Sequence, residues 1–206
     1  MKLLIIGCGE LGSRFLQAAA QVREINQIDV VELSNRAKKT AQSRWMEVQK
    51  EGIEIIELIW HHSFNSSIPV SDLCIIATQA DTRLEVFERV ISHGIKRIIS
   101  EKIVTQSEAS YLKIINLSEK NGVNIWVNCK TRAVQIWNEV KNKIDIQDHL
   151  VFHSTGGDHG LCTNGLHTLD LFVFLTESSE LINDGSHLDF VLHKTKREKF
   201  DLSGVL

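Results

Sequence analysis

The sequence predicts a doubly wound α/β domain with a parallel sheet over residues 1–128, followed by a partial α+β region over residues 129–206. Three observations support this fold class. Short apolar runs alternate with stretches of helical periodicity up to residue 128. A glycine-rich turn directly follows the first apolar run, and the regular alternation stops beyond residue 128.

The strands of the first region are expected where short runs rich in isoleucine, leucine and valine are bounded by turn residues. Six such runs are present: Lys2–Ile6, Ile28–Leu33, Glu54–Trp60, Asp72–Thr78, Lys96–Ser100 and Asn124–Asn128. Strands that are apolar throughout are typical of parallel sheets buried on both faces. Because parallel neighbours are joined by right-handed crossovers, we expect helices on both sides of the sheet.

Helices are expected where apolar residues recur every three or four positions. In the first region the predicted helices cover Leu11–Ile25, Arg36–Lys50, Thr82–His93 and Ser107–Asn121. Three of them are followed by a glycine, which readily takes the left-handed conformation that ends a helix: Gly52, Gly94 and Gly122. In the second region we predict helices over Arg132–Lys143 and Asn164–Leu175, and strands over Leu150–Ser154 and His187–His193.

Composition and charge exclude several classes of function. The chain has 206 residues, 43% of them hydrophobic, and no apolar run nears the ~20 residues of a membrane span. A net charge of −3 without a long basic run argues against nucleic acid as a partner. The four cysteines lie far apart and form no CxxC pair, which predicts a reducing compartment and therefore a cytoplasmic protein.

A glycine-rich motif lies at the junction of the first strand and the first helix. Residues 7–12 read Gly-Cys-Gly-Glu-Leu-Gly, the GxGxxG pattern of dinucleotide-binding domains. Gly7 permits a tight turn, Gly9 lets the main chain approach a pyrophosphate, and Gly12 allows the helix to pack closely on the strand. Glu10 and Leu11 lie at the helix start, whose N–H groups attract the anion. The motif predicts a Rossmann domain.

An acidic residue completes the predicted dinucleotide site. Glu32 ends the second strand, twenty residues after Gly12, where a carboxylate accepts hydrogen bonds from the adenosine ribose. Because this carboxylate would repel a 2′-phosphate, the sequence favours NAD, while Ser34, Arg36 and Lys38 keep NADP open as the alternative. A methyltransferase also uses a glycine-rich turn and an acid, but the stretch before the glycines lacks the acidic residue that those enzymes usually carry.

Three further motifs stand at the ends of predicted elements. Residues 77–79 read Ala-Thr-Gln after the fourth strand, and residues 101–103 read Glu-Lys-Ile after the fifth. Residues 165–170 read Gly-Leu-His-Thr-Leu-Asp near the start of the helix predicted over Asn164–Leu175. Together with GxGxxG, these motifs resemble the Gfo/Idh/MocA superfamily, which includes glucose-fructose oxidoreductase and inositol dehydrogenase. Glutamine and isoleucine replace the two prolines of the family's Ala-Thr-Pro and Glu-Lys-Pro motifs.

The resemblance implies an NAD(P)-dependent oxidoreductase that acts by hydride transfer. Lys102 falls on the family's catalytic lysine, and His167 is the second candidate for moving a proton at the reacting oxygen. Thr78, Gln79 and Glu101 are implied to lie beside the cofactor. Both catalytic candidates depend on the family match, because an isolated lysine or histidine at these positions has ordinary structural roles.

The resemblance also implies residues near the substrate. Asn128 and Arg132 stand where family members have an asparagine and an arginine close to it. Thr163 replaces an aspartate that many members carry, so Thr163 and Asn164 are expected to act only through hydrogen bonds. The stretch 156–164 resembles a branch associated with surface-polysaccharide gene clusters, which implies a sugar or nucleotide-sugar substrate.

Two more expectations concern charged groups of the second region. Asp170 is expected to cap its helix or to orient His167, and the structural role is the favoured one. His153, His159 and His167 with Asp158 suggest a metal site, but their spacing matches no standard zinc motif, so no metal is predicted.

The length limits what the resemblance implies about activity. Members of the family are considerably longer, because their second domain is an open sheet that forms the floor of the substrate site and often a dimer surface. We therefore expect a truncated or split member with an uncovered apolar face, which leaves a homo-oligomer through the second region open. Two functions are predicted as alternatives: an oxidoreductase, and a non-catalytic NAD-binding remnant or sensor.

Overall fold

The computed structural model describes residues 1–48, 56–145, 149–157, 160–178, 180–182, 184–195 and 200–205. Several predicted features lie outside the described residues: the helix end at Lys50 with its stop at Gly52, the strand start at Glu54, and Asp158 with His159. The chain divides into two compact units, Met1–Asn128 and Cys129–Leu206.

The first unit contains a six-stranded sheet in the order β3-β2-β1-β4-β5-β6. Its strands are β1 (Lys2–Ile6), β2 (Gln27–Val31), β3 (Glu57–His61), β4 (Leu73–Ile76), β5 (Arg97–Ser100) and β6 (Asn124–Val127). Every neighbouring pair is parallel. The order reverses between β1 and β4, which opens a crevice at the carboxyl ends of these two strands. The predicted doubly wound Rossmann fold is confirmed.

Four helices cover this sheet: α1 (Gly12–Ala19), α2 (Asn35–Val48), α3 (Arg83–Ser92) and α4 (Glu108–Asn121). The first helix ends six residues before the predicted Ile25, which is nevertheless buried in the turn that follows. Ser107 caps the start of α4, because its side chain accepts a hydrogen bond from the Ser110 N–H. Gly122, with φ +60°, caps its end, as the glycine stop predicted.

Alternate residues of β1 enter two apolar cores. Leu4 and Ile6 pack in the core beneath α3 and α4, whereas Leu3 and Ile5 pack in the core beneath α1 and α2. All four side chains are at most 5% exposed. Burial of such a side chain contributes about 1.5–3 kcal/mol, so the continuous apolar run is explained by burial on both faces.

The second unit contains α5 (Gln135–Lys141), α6 (Leu161–Thr176) and a short antiparallel pair, β7 (His193–Lys194) and β8 (Phe200–Asp201). Two 3-10 turns, Lys130–Ala133 and Gly185–His187, complete its regular structure among the described residues. Within the described part of the chain, no helix is long and apolar enough to cross a membrane.

The strand predicted over Leu150–Ser154 is wrong. The described residues of this stretch have no regular secondary structure, and no described strand lies beside them to pair with their main chain. Val151 is 89% exposed, while the Phe152 ring lies 6.4 Å from the Phe172 ring of α6. An apolar run thus packs one ring against a helix without forming a sheet.

Two other boundaries in this unit also differ from the prediction. The helix predicted over Arg132–Lys143 is interrupted at Val134, whose extended conformation (φ −75°, ψ 126°) separates the 3-10 turn from α5. The strand predicted over His187–His193 is paired only at its last residue and through an isolated bridge between Leu188 and Gly204.

Candidate functional site

Predicted cofactor residues of the first unit, together with the predicted substrate residue Asn128, lie along the carboxyl edge of the sheet. Gly7, Glu32 and Glu101 directly follow β1, β2 and β5, and Thr78 and Asn128 follow β4 and β6. Main-chain hydrogen bonds extend the pairing past the strand ends, for example from the Gly7 N–H to the Val31 carbonyl at 2.9 Å. Because neighbouring strands are ~4.8 Å apart, these residues form one row across the edge.

The three glycines of the loop have different surroundings. Gly7 has φ +84°, and a Cβ there would lie 2.9 Å from the Thr78 nitrogen. A Cβ on Gly12 would lie 1.9 Å from the Gly7 carbonyl oxygen, so this glycine is required by packing. A Cβ on Gly9 would have no neighbour within 4 Å. The main chain at Gly9 therefore borders open space, as a closely approaching ligand requires.

The Glu32 carboxylate bridges two loops at this edge. One oxygen accepts a hydrogen bond from the Cys8 N–H of the glycine loop at 2.6 Å, and the other accepts one from the Ser34 N–H at 2.7 Å. Burial, reinforced by the nearby negative charge of Glu32, raises the pKa of the Cys8 thiol to about 12. Cys8 therefore stays a neutral, buried thiol.

Arg44 of α2, which the sequence reasoning missed, holds the glycine loop from the side. Its guanidinium pairs with the Glu10 carboxylate at 2.6 Å and donates to the Glu10 carbonyl at 3.1 Å and the Ser13 hydroxyl at 2.6 Å. The signal for Arg44 is its helical spacing, three residues after Ala41 and four before Val48 on the packed side of α2. Leu11, at the start of α1, is exposed.

A second arginine, also missed, lies beneath the loops that follow β4 and β5. Arg83 is only 3% exposed and donates hydrogen bonds to the carbonyls of Thr78, Glu101 and Ile103. Burial lowers the pKa of its guanidinium to about 10, although the charges of Glu101 and Asp81 oppose that shift. Its signal is again periodicity, because Arg83 lies four residues before the buried Phe87.

Lys102, the predicted catalytic lysine, follows a buried acid. Glu101 is buried, and its carboxylate accepts a hydrogen bond from the Asn128 amide. Lys102 itself is half-buried, and the peptide bond between Lys102 and Ile103 is cis. The contacts of Glu101 with the cofactor and of Asn128 with substrate stay predictions.

The predicted cofactor residues also include Thr78 and Gln79, in the loop that follows β4. The Thr78 hydroxyl oxygen is buried and has no hydrogen-bond partner among the described residues, although it lies at the edge of the crevice. Gln79 is exposed. The contacts of Thr78 and Gln79 with the cofactor stay predictions.

The predicted residues of the second unit lie on the first turns of α6. Thr163, Asn164 and His167 are all partly buried, and their spacing places them on one face of the helix. The helix starts three residues earlier than predicted, at Leu161, preceded by Gly160 with φ +74°. The site roles of Asn164 and His167 stay predictions.

Asp201 of β8, which no sequence signal indicated, caps this helix. Its carboxylate accepts hydrogen bonds from the Thr163 hydroxyl and the Cys162 N–H, both at 2.7 Å, and from the Leu202 N–H at 2.9 Å. Burial alone would raise the pKa of Asp201, but these hydrogen bonds lower it below its usual value. Thr163 thus donates a hydrogen bond to Asp201, and its role near the substrate stays a prediction.

Arg132 and Asp170 form an ion pair. The guanidinium binds both carboxylate oxygens of Asp170, and this hydrogen bonding raises the pKa of Arg132. Arg132 also lies over the Phe174 ring, 5.7 Å from its centroid. Asp170 lies inside α6 and joins it to the 3-10 turn Lys130–Ala133, so it does not cap the helix. An orienting role of Asp170 toward His167 and the substrate contact of Arg132 stay predictions.

The residues of each unit can be compared with what a dinucleotide or a metal requires. The first unit offers an open main chain at Gly9, a carboxylate at Glu32 and a buried hydroxyl at Thr78, which fit a dinucleotide. Lys102 belongs to this unit, whereas His167 belongs to the other. Among the described residues, no group of three histidine, cysteine or acidic side chains is placed to hold a metal ion.

Comparison with known proteins identifies one family. The profile of the Gfo/Idh/MocA oxidoreductases, described as an oxidoreductase family with an NAD-binding Rossmann fold, matches residues 1–129. No curated protein matches the chain.

Solved structures of similar fold cover most of this chain. An oxidoreductase from Agrobacterium radiobacter in complex with NAD+, L-tartaric acid and magnesium is 15% identical, covering 100% of this chain and 66% of its own, with a TM-score of 0.66. Scyllo-inositol dehydrogenase from Lactobacillus casei with NAD(H) and scyllo-inositol is 13% identical, and the match covers 86% of this chain and 56% of the dehydrogenase, with a TM-score of 0.64. A protein from Desulfitobacterium hafniense named as an NADPH-dependent oxidoreductase is 16% identical, and the match covers 84% of this chain and 54% of that protein, with a TM-score of 0.65. The chain thus spans between 54% and 66% of their lengths.

Proposed function

Because the chain belongs to the Gfo/Idh/MocA family of NAD-binding oxidoreductases, we propose that it oxidises or reduces a hydroxyl or keto group of a sugar or nucleotide sugar. The observation that carries the proposal is the Glu32 carboxylate, held at the glycine loop by the Cys8 N–H at 2.6 Å. A carboxylate held beside the glycine-rich turn supports this proposal, because a dinucleotide needs a ribose acceptor next to the site of its pyrophosphate.

The surroundings of Glu32 support NAD over NADP. The Ser34 N–H already donates to Glu32, and the Ser34 hydroxyl accepts from the Ala37 N–H at 3.3 Å. The Lys38 ammonium lies over the Trp60 ring, 5.4 Å from its centroid, so it is directed to that ring. A 2′-phosphate at this place would meet the negative charge of Glu32, and the Lys38 ammonium is already engaged with the Trp60 ring.

The chemistry assigned to this chain is proton transfer at the reacting oxygen. Bound NAD supplies a hydride acceptor at its nicotinamide ring. Lys102, at the carboxyl edge of the sheet, is proposed to hold the oxygen of the substrate through its ammonium. His167 is proposed as the group that takes or returns the hydroxyl proton, because imidazole titrates near neutral pH.

Cofactor binding is tested first. Titration of the full chain with NADH, followed by protein fluorescence, should show saturable binding, and Glu32→Gln should weaken it by about tenfold because a charge-assisted acceptor is lost. NADPH should bind the wild type more weakly than NADH, and Glu32→Gln should narrow that gap. Glu57→Gln, at the amino end of the neighbouring strand β3, is the matched control and should bind as the wild type does.

Turnover is tested separately on a panel of sugars, inositols and nucleotide sugars. Lys102→Met should keep NADH affinity and lose at least about 100-fold in kcat, as expected for a proton-transfer group. Lys96→Met is its control, because Lys96 lies just before β5 at the opposite edge of the sheet. His167→Asn is compared with His153→Asn in the same way. Absence of saturable NADH binding would contradict the proposal.

A second function is favoured by the hydroxyl at Thr163. Where many relatives are implied to carry an aspartate, this chain has a threonine whose hydroxyl donates to Asp201. A protein that binds NAD without turnover, such as a sensor, would keep the first unit intact and lack this acid. Saturable NADH binding with no turnover across the panel would favour this second function.

A further inference from the structure

Arg83 connects the two loops at the carboxyl ends of β4 and β5. It is the first residue of α3, and its guanidinium donates to the Thr78 carbonyl on one loop and to the Glu101 and Ile103 carbonyls on the other. The last two carbonyls belong to the residues on either side of Lys102. One side chain thus holds the main chain before and after the lysine.

The chemistry of the guanidinium suits this role. Its donors lie in one rigid plane, so carbonyls bound to it are fixed in direction as well as distance. Burying a charge is costly unless it is compensated, and here the buried Glu101 carboxylate supplies the opposite charge. The Asn128 amide in turn holds that carboxylate, which extends the same network to β6.

We propose that Arg83 is a positioning residue that sets the place of Lys102 at the carboxyl edge of the sheet. The catalytic role of Lys102 in this inference rests on the proposed function. The hydrogen bonds that hold the main chain around Lys102 do not depend on it. Because Thr78 is bound by the same guanidinium, the lysine loop and the predicted cofactor loop share one anchor. Loss of the planar donor set is therefore expected to displace Lys102 without removing the glycine loop or Glu32.

The test replaces the planar guanidinium of Arg83 by an ammonium group, which cannot bind all three carbonyls in the same directions. Arg83→Lys keeps the charge and is compared with Arg89→Lys, on the same helix, where the arginine donates to the Phe64 carbonyl away from the lysine loop. Acylation of Lys102, followed by mass spectrometry relative to the exposed Lys39, should quicken about threefold or more in Arg83→Lys as the loop opens. NADH affinity should fall by no more than about threefold, because the glycine loop and Glu32 stay in place, whereas any kcat should fall about tenfold. Arg89→Lys should change none of these.

A second variant covers the case in which Arg83→Lys does not fold. Arg83→Met combined with Glu101→Gln removes both buried charges together and should show the same faster labelling of Lys102. A folded variant of either kind with wild-type labelling of Lys102 would overturn the proposal. Labelling requires no turnover, so a wild type without activity would count against the proposed function and leave the positioning role measurable.

Discussion

The two units bury their apolar side chains very differently. In the first, both faces of one sheet are covered, and β1 alone contributes residues to two cores. In the described part of the second, only Leu171 and Leu175 are buried apolar side chains, while Phe190 and Ile182 are fully exposed. Packing therefore holds the first unit together, whereas polar contacts contribute a larger share in the second.

The same difference extends to the predicted site residues. In the first unit they are placed by main-chain geometry, since they follow the ends of paired strands. In the second, Thr163 and Arg132 are bound by the carboxylates of Asp201 and Asp170, each 38 residues away along the chain. Substitutions should accordingly act through packing in one unit and through charge and hydrogen bonding in the other.

The largest effect is expected for Gly12→Ala. The added Cβ would lie 1.9 Å from the Gly7 carbonyl oxygen, so the helix must move, at a cost of about 1–3 kcal/mol and with loss of NADH binding. Gly9→Ala is the matched control, because its Cβ meets no atom within 4 Å. It should change stability by less than about 0.5 kcal/mol yet still weaken NADH binding. Thermal unfolding and NADH titration measure both, and a Gly12→Ala variant as stable as wild type would refute the packing argument.

Removing the cap of α6 should have the next largest effect. Asp201→Asn should destabilise the helix start by about 1 kcal/mol at neutral pH, seen as faster hydrogen exchange at the Cys162 and Thr163 amides. Folding lowers the pKa of Asp201. Its carboxylate therefore contributes fully to the free energy of unfolding above the unfolded-state pKa of ~3.9, and this contribution is lost as the pH falls through the folded-state pKa.

The variant should therefore differ most from wild type at pH 6 and least at pH 3. Asp189→Asn is the control, since this exposed carboxylate accepts from Ser203 in the same region. An equal difference between wild type and Asp201→Asn at both pH values would contradict the assignment.

A smaller effect is expected for Arg132→Ala. The side chain of Arg132 is 43% exposed, so solvent screening limits its ion pair with Asp170 to about 0.5–1 kcal/mol. Thermal unfolding at low salt should show the loss, and the difference should shrink in 1 M salt as the Debye length falls to about 3 Å. NADH affinity should not change. A salt-independent loss would mean that contact with the Phe174 ring, rather than charge, stabilises this turn.

The smallest perturbation is thiol alkylation. Cys8 and Cys74 of the first unit are buried, whereas Cys162 of the second is exposed. Burial raises the pKa of the Cys8 thiol to about 12, so its thiolate is scarce at pH 8 as well as inaccessible. Mass spectrometry after treatment with iodoacetamide should find Cys162 modified, and Cys8 and Cys74 modified only after denaturation. Modification of Cys8 in the folded chain would show that the first unit opens more readily than its core suggests.

The sequence predicted the first unit well because its signals are local. Strands buried on both faces leave continuous apolar runs, and Gly122 marks a helix end through its left-handed conformation. The Rossmann fold and the family are confirmed, and the methyltransferase alternative is wrong. A sugar substrate stays a proposal.

Contacts between distant residues could not be predicted. Nothing in the stretch around Asp201 indicates that it binds Thr163, and the run Leu150–Ser154 has strand-like composition but no partner strand among the described residues. The sequence indicates Arg83 only weakly, because it is a charged residue at a position of α3 whose helical spacing matches the buried residues Phe87 and Val90. Such a break in periodicity shows that a polar partner is needed, but only the fold shows which one.

The cap of α6 has a consequence for the order in which the protein matures on the ribosome. Domains generally fold as units from the N-terminus during synthesis, and the whole sheet of the first unit has been made by residue 128. The start of α6 must wait for Asp201, 38 residues after Thr163. The nascent chain therefore carries a complete first unit while the helix bearing His167 still lacks its cap, so the start of this helix is among the last parts of the described structure to be completed.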